Sequence, residues 1–268
     1  VKITIVTVSY NQADFLERAI LSVVDQGYKD LEYIIVDPGS TDGSRDIIEK
    51  FKIYFSRVIF ESDAGAADGL NNGFKYATGD IFGFLNSDDT LLPESLTEVS
   101  KFFQEHPNID VVSGHTRIID SDDQVIRNSY SDRFSLISCV YGANTLMQPS
   151  TFFRAKCYRE INGFNKNNTS NWDGELFVDI ALKGGRFALV NKYWSCYRLH
   201  ALSITSSKKM DSKTKEYTNY IFHKIMKRGK HFFDIPFVVF FRIIKYLCSP
   251  QSLYERLSKG AIYGRSEK

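Results

Sequence analysis

The chain has 268 residues, 43% apolar and 25% charged, which excludes a disordered or collagen-like chain and allows one large domain or two modest ones. Its formal net charge of +2 hides an asymmetry: residues 207–268 carry 14 Lys and Arg against 5 Asp and Glu, and the remainder carries 20 against 27. The last quarter is therefore a basic surface suited to an anionic partner, a membrane or a nucleic acid.

Residues 3–8 (ITIVTV) are a β-branched run that predicts a buried strand. Residues 14–25 place Phe15, Ala19, Ser22 and Val23 on one helical face. Residues 33–36 predict a second strand, Asp42 to Lys50 a helix, 57–60 a third strand, 66–77 a helix and 81–85 a fourth strand. Helix 94–105 follows, then strands 109–113 and 115–119. Residues 124–147 show no clear period. Strand 151–153, helix 155–160, helix 173–183 and a strand–turn–strand over 186–197 complete this part. Gly184 and Gly185 stop the helix before them. Strands alternating with helices predict an α/β fold: a doubly wound, mainly parallel sheet flanked by helices.

Ligands of such sheets sit beyond the carboxyl ends of the strands. That rule selects Thr7–Asn11, Asp37–Ser40, Glu61–Asp63 and Asn86–Asp89, all polar or carboxylate-bearing. Asn86-Ser87-Asp88-Asp89 is the strongest motif. Clustered carboxylates at a strand end bind hard divalent cations through oxygen, and the same residues also make turns and helix caps. Asp37 ends a strand where a carboxylate can accept from a base or ribose, and Gly39 lets backbone approach a ligand. No GxGxxG follows the first strand and no GxxxxGK[ST] exists, which argues against a dehydrogenase and a P-loop enzyme.

The segments TVSYN, IIVDPGSTDGS and ATGDIFGFLNSDD, with the weaker WDGELFVDIALKGG and YRLHALSIT, resemble the family 2 glycosyltransferases. The resemblance is close over residues 3–95, continues to about residue 205, and leaves out roughly the last 60 residues. It implies a GT-A fold and inverting transfer from a nucleotide-diphosphate sugar, with Mn²⁺ or Mg²⁺. Carried over by position, Thr7 and Tyr10 line the base pocket. Asp37 reads the base, typically uracil, so the implied donor is a UDP-sugar. Asp63 borders the nucleotide and Asn71 is a polar pocket position. Asn86-Ser87-Asp88 occupies the place of the DxD motif: Asp88 holds the metal, Asn86 faces the ribose, and Asp89 touches the metal's water or the donor sugar. His200 is a metal or diphosphate ligand, and Arg198 and Ser203 are weaker phosphate candidates. Two positions depart from the family's pattern. Asn86 replaces the usual first carboxylate, which implies weaker metal affinity. Pro38 in DPGS fixes φ and removes an N–H, but Asp37 is retained.

Inverting transfer needs one carboxylate to take the acceptor's proton. Asp173, at a helix start, aligns with the family's general base, and Glu175 is the reserve; a helix-start carboxylate is also favoured by the dipole alone. A sugar nucleotidyltransferase would show a basic Gly-rich loop near the N-terminus, where this chain reads SYNQADF. A non-catalytic nucleotide-sugar or glycan-binding protein is favoured only by Asn86. A glycoside hydrolase needs two carboxylates but no nucleotide pocket.

The four cysteines, Cys139, Cys157, Cys196 and Cys248, lack CxxC or zinc spacing, as expected of reduced thiols in the cytoplasm. The run at 3–8 is too short for a signal peptide, and no apolar stretch reaches the ~18 residues of a membrane span. Residues 217–233 mix aromatics with Lys224, Lys227, Arg228 and Lys230, and residues 235–248 are strongly apolar around Arg242 and Lys245. Residues 217–248 therefore predict peripheral contact with the inner face of an anionic membrane, where a lipid-linked or other glycan acceptor would be met. Packing on the catalytic part or on a second subunit, giving a homo-oligomer, is the alternative. Nucleic acid is not an expected partner. The expected organisation is a catalytic domain at 1–206, with a nucleotide-binding half at 1–90 and an acceptor half at 91–206, then a basic helical extension at 207–268.

Overall fold

A computed structural model of the chain describes residues 1–200 and 210–260. Strands β1 (Ile3–Val8), β2 (Leu31–Val36), β3 (Arg57–Ile59) and β4 (Ile81–Asn86) pair in parallel in the order β3-β2-β1-β4. Helices α1 (Ala13–Val24), α2 (Ser44–Lys50) and α3 (Ala66–Phe74) are the crossovers between them. Beyond β4 the sheet turns mixed. Strand β8 (Thr151–Arg154) runs antiparallel to β4 and to β6 (Val111–Ile119). Strand β9 (Phe187–Arg198) runs parallel to β6 and antiparallel to the short β5 (Thr90–Leu91), and β7 (Val125–Ser129) pairs antiparallel with β6. Helices α4 (Ser95–Glu105), α5 (Leu136–Val140), α6 (Ala155–Glu160) and α7 (Trp172–Leu182) pack around it.

Strand alternation divides the core in two. Ile3, Ile5, Tyr33, Ile35, Ile81 and Leu85 face α1, α2 and α4. Val6, Ile34, Val36, Phe82 and Phe84 face α3, α6 and α7. On this second side α3 lies so close to β1 that a Cβ at Gly73 would stand 2.4 Å from Val6 Cγ1. The glycines that weaken the helical pattern of 66–77 thus set how deeply the helix seats.

Two expectations are corrected. The two strands expected over 109–113 and 115–119 are one strand, β6 (Val111–Ile119), running through Gly114. A Cβ there would meet the Lys192 carbonyl at 2.8 Å and the Trp194 ring at 2.8 Å. The glycine that reads as a break is room for β9. Residues 186–197 likewise form one strand without a turn. Between the pairs Ser113–Leu189 and His115–Tyr193, β9 advances further than β6, so Asn191 and Lys192 sit in a register shift. The segment without a period, 124–147, contains β7 and α5.

The amino end of the sheet is a closed polar knot. Glu32 accepts from Thr4 Oγ1 (2.6 Å), Lys2 Nζ (2.8 Å), and the Thr78 N–H (2.7 Å) and hydroxyl (2.6 Å). Burial works to raise its pKa, but these donors hold the carboxyl down at about 2.

Helices α8 (Met210–Met226), α9 (Ile235–Cys248) and α10 (Pro250–Lys259) follow. The expected boundary at 206/207 lies outside the described residues, as does Ser203. Ile221 and Phe222 of α8 are buried, and Phe222 joins Val140 and Tyr141 in a third core cluster.

Candidate active site

A cavity of about 810 Å³ opens at the carboxyl ends of β1, β2 and β4. Its lining includes Tyr10, Gly39, Asp63, Asn86, Ser87, Asp88, Met147, Gln148, Asn171, Trp172, Asp173 and Tyr197. Six of the residues expected at the site therefore share one space: Tyr10, Asp63, Asn86, Ser87, Asp88 and Asp173. They come from four separate segments, gathered by the crossovers.

Asp37 lies directly behind the Pro38–Gly39 wall, fully buried. Its Oδ1 accepts from the Gly39 N–H (3.1 Å), the Ser40 N–H (2.8 Å) and Arg45 Nε (3.2 Å). The N–H that Pro38 lacks is not needed, because the turn closes on the next two residues. Asn11 laces this loop to the end of β1: its N–H donates to Ser40 Oγ at 2.8 Å and its Oδ1 accepts from the Thr41 N–H at 2.9 Å. The second carboxylate oxygen of Asp37 is buried without a hydrogen-bond partner among the described residues, as are Ser9 Oγ and Asn171 Nδ2 on the cavity wall. At the amino end of the sheet every oxygen of Glu32 is satisfied; at this end three buried polar atoms are open. A buried polar group without a partner costs about 1–3 kcal/mol.

The NSDD turn closes through the Asp89 N–H to the Asn86 carbonyl at 3.1 Å. Asn86 Nδ2 donates to Gln148 Oε1 at 3.3 Å, and Gln148 is fixed by its own bond to the Phe84 carbonyl at 2.8 Å. Asp88 Oδ2 stands 3.1 Å from His200 Nε2. The imidazole leans on the Phe15 ring at 4.6 Å between centroids. Asp89 points the other way, fully buried, and accepts from the Arg198 N–H at 3.0 Å. Burial and the Asp88 charge push its carboxyl well above the ordinary range. Arg198 is also fully buried. Its guanidinium donates to the Asp88 carbonyl (2.8 Å), the Asp120 carbonyl (2.8 Å) and Asp123 Oδ1 (2.5 Å). It braces the turn from behind, so its expected phosphate contact is replaced by a supporting role.

Asp63 accepts from the Gly65 N–H at 2.9 Å. Burial, with the charges of Asp68 and Asp37, raises its pKa against that bond. Asp173 sits in the first turn of α7. Burial raises its pKa, the direction useful for accepting a proton.

Three expected site residues serve the walls and do not face the cavity. Alternation along β1 turns Thr7 to the α1 side, where its hydroxyl bonds Tyr33 Oη at 3.0 Å. Asn71 holds the turn before residue 165: its Nδ2 donates to the Phe164 carbonyl, and its Oδ1 accepts from the Phe164 N–H and Tyr158 Oη. Glu175 is buried and takes bonds from Asn165 (3.2 Å), Asn168 (2.8 Å), Tyr220 Oη (2.7 Å) and Lys224 Nζ (2.9 Å). Burial works to raise its pKa, but these donors lower it. Glu175 is thus a hub joining loop 165–168, α7 and α8, and its donors leave it unsuited to act as a base. Glu175→Ala would leave Asn165, Asn168 and Tyr220 without their shared acceptor while Lys224 keeps Asp179, so it is expected to cost about 2 kcal/mol, measured as a shifted urea-unfolding midpoint. Gln148 and Asn171 line the cavity as well, though neither belongs to the motifs that select the expected site residues. The only sequence signal for Asn171 is its place just before the Asp173 helix.

Asp88 lines the cavity, and His200, buried just outside its lining, touches Asp88; this pair has the donor types a divalent cation takes. Among the described residues no group of three or more His, Cys, Asp and Glu forms a complete cage. Two protein donors leave coordination positions for phosphate oxygens and water.

The family model described as glycosyl transferase family 2 matches residues 4–173. The chain is 38% identical over 128 residues to an uncharacterized glycosyltransferase of Nostoc sp., covering 47% of this chain and 39% of that protein. It is 27% identical over 219 residues to the chondroitin synthase of Pasteurella multocida, covering 78% of this chain and 22% of that one. It thus spans well under half the length of these curated relatives. A crystal structure of S. aureus TarS 1–349 superposes with a TM-score of 0.68 at 18% identity, covering 96% of this chain and 75% of that one. The same protein has been crystallised with UDP-GlcNAc. At that identity the superposition speaks for the fold, and its sheet and flanking helices match the doubly wound expectation.

Proposed function

This chain belongs to glycosyl transferase family 2, and on that premise we propose that it transfers a sugar from a UDP-sugar to a glycan or lipid-linked acceptor in polysaccharide biosynthesis, inverting the anomeric centre. The observation that carries the reading is that Asp88 and Asp173, from separate elements, face one cavity beside the open Asp37 wall. The chondroitin synthase relative and the UDP-GlcNAc complex of TarS support the choice of product class and base.

In this reading uracil lies between Tyr10 and the Asp37 loop, with its single N–H, at N3, toward the unpartnered Asp37 carboxylate oxygen. Asp63 and Asn86 flank the ribose. Asp88 and His200 would hold Mn²⁺ or Mg²⁺, whose chemistry there is neutralisation of diphosphate charge. Asp173 takes the proton of the acceptor hydroxyl as its oxygen forms a bond to the anomeric carbon. The bond from that carbon to the diphosphate breaks, and its electron pair leaves with UDP. Since Asp173 accepts one proton and UDP leaves as an anion, no second acid is required. The peripheral membrane position expected from the tail belongs to this proposal, as does a possible second copy of the chain in a homo-oligomer.

The test is calorimetric titration of UDP, GDP and dTDP with Mn²⁺ and with EDTA. UDP is expected to bind at least about tenfold more tightly than the other two, and Asp37→Ala to abolish that preference, as loss of a charged hydrogen bond would. Equal binding of the three nucleotides would refute the uracil assignment.

A further inference from the structure

We propose that the outward face of α9, with Phe232 and Phe233 before it, docks the protein onto an anionic lipid bilayer. This rests on the transferase reading for its purpose and names the surface where the acceptor would be met.

The sequence assigns membrane contact to residues 217–248 as a block, but the structure divides that block. In α8, Ile221 and Phe222 are buried against the body of the protein. Helix α9 is apolar on two faces. Its inner face is occupied: Phe237 and Phe241 stack on Tyr141 at 5.5 and 5.3 Å, and Val238 joins the same cluster. Lys245 locks the orientation, with Nζ 2.9 Å from Asp132 Oδ2 and 2.8 Å from Thr145 Oγ1. At ~100° per residue, Val239, Phe240, Ile243 and Leu247 then fall on the opposite arc. The first three are each 54% exposed and Leu247 is 76% exposed. Phe232 and Phe233, at 64% and 67%, extend the patch.

Charge selects the occupant. From Lys227 to Gly260 the only carboxylates are Asp234 and Glu255, against seven Lys and Arg. Both carboxylates are buried: Asp234 pairs with Arg228 at 2.6 Å, and Glu255 with Lys259 at 3.2 Å. Lys227, Lys230, Arg242 and Arg256 are exposed around the apolar patch. An apolar strip rimmed by cations with no exposed acid suits acyl chains below anionic headgroups. At 14 residues α9 is only about 21 Å long, and no helix among the described residues is long and apolar enough to cross a membrane. It would lie in the interface. Through Lys245 and Thr145 it is tied to the strip 146–149 that lines the cavity, so a surface-borne acceptor would arrive beside that wall.

The test is co-sedimentation of the full chain with phosphatidylcholine vesicles, with and without phosphatidylglycerol. Wild type is expected to bind the mixed vesicles and to be released by high salt. The triple variant Phe240→Ser, Ile243→Ser, Leu247→Ser is expected to lose at least tenfold in partitioning. Arg242→Glu, a single exposed change that leaves packing intact, is expected to lose about tenfold on anionic vesicles only. Absence of vesicle binding, or equal binding by wild type and Arg242→Glu, overturns the proposal. So does a wild-type dimer in equilibrium sedimentation that the triple variant breaks without any vesicle binding, which would give the face to a second copy. Vesicle binding needs neither donor nor acceptor, so it stands or falls apart from transferase activity.

Discussion

Asp173→Asn is expected to lower turnover by about 10²–10⁴-fold while donor affinity stays within about twofold. The amide keeps the shape of the carboxylate but cannot take a proton. Asp173 comes from α7, an element separate from those that carry Asp37 and Asp88, and the proposed nucleotide contacts make no use of its charge. Because burial raises its pKa, the acid limb of the turnover profile is expected above the ordinary carboxylate range. The base must be ionised, so the rate falls as pH drops through that raised value. UDP release at saturating donor and acceptor, compared with calorimetric donor affinity, separates the two effects. Near-normal turnover in the variant would remove Asp173 from the base role.

Asp88→Ala is expected to weaken Mn²⁺-dependent donor binding by about 100-fold, equivalent to ~3 kcal/mol. The loss follows from geometry: Asp88 is the only carboxylate of the NSDD turn that faces the cavity, since Asp89 is turned inward onto the Arg198 backbone. With Asn86 in the turn, no second carboxylate stands ready to replace it. EDTA should bring the wild type to the level of the variant and change the variant little. Retention of Mn²⁺-dependent affinity by Asp88→Ala would put the cation elsewhere.

The first four strands were legible because each is a short apolar run bounded by turn residues, and the rule that ligands sit at strand ends then selected Tyr10, Asp63 and the NSDD turn. What the pattern could not carry was direction. Thr7 and Val8 are equally plausible by composition, and only the two-residue alternation of β1 decides that Val8 and not Thr7 faces the cavity. Glu175 reads as a second catalytic carboxylate until Tyr220 and Lys224, some 45 residues later, are brought onto it. Strands β6 and β9 were each split in two because Gly114 and Asn191–Lys192 resemble breaks when their partners are not in view. The tail showed its amphipathic character but not its division, since Phe222 gains its burial from Val140 and Tyr141, about 80 residues earlier.

The pairing of β9 bears on the order in which the molecule takes shape. Strands β1 to β4 are joined by short crossovers and close small loops. Strand β9 must find β6 and β5 across much longer stretches of chain, and His200 meets Asp88 across 112 residues. Closing long loops is slow relative to local pairing. During synthesis strands β1 to β4 are therefore expected to pair early, and Asp88 to meet His200 only after β9 has left the ribosome and docked. The cavity is lined as well by Gln148, Asp173 and Tyr197, so it is complete only when the later strands and α7 have been added.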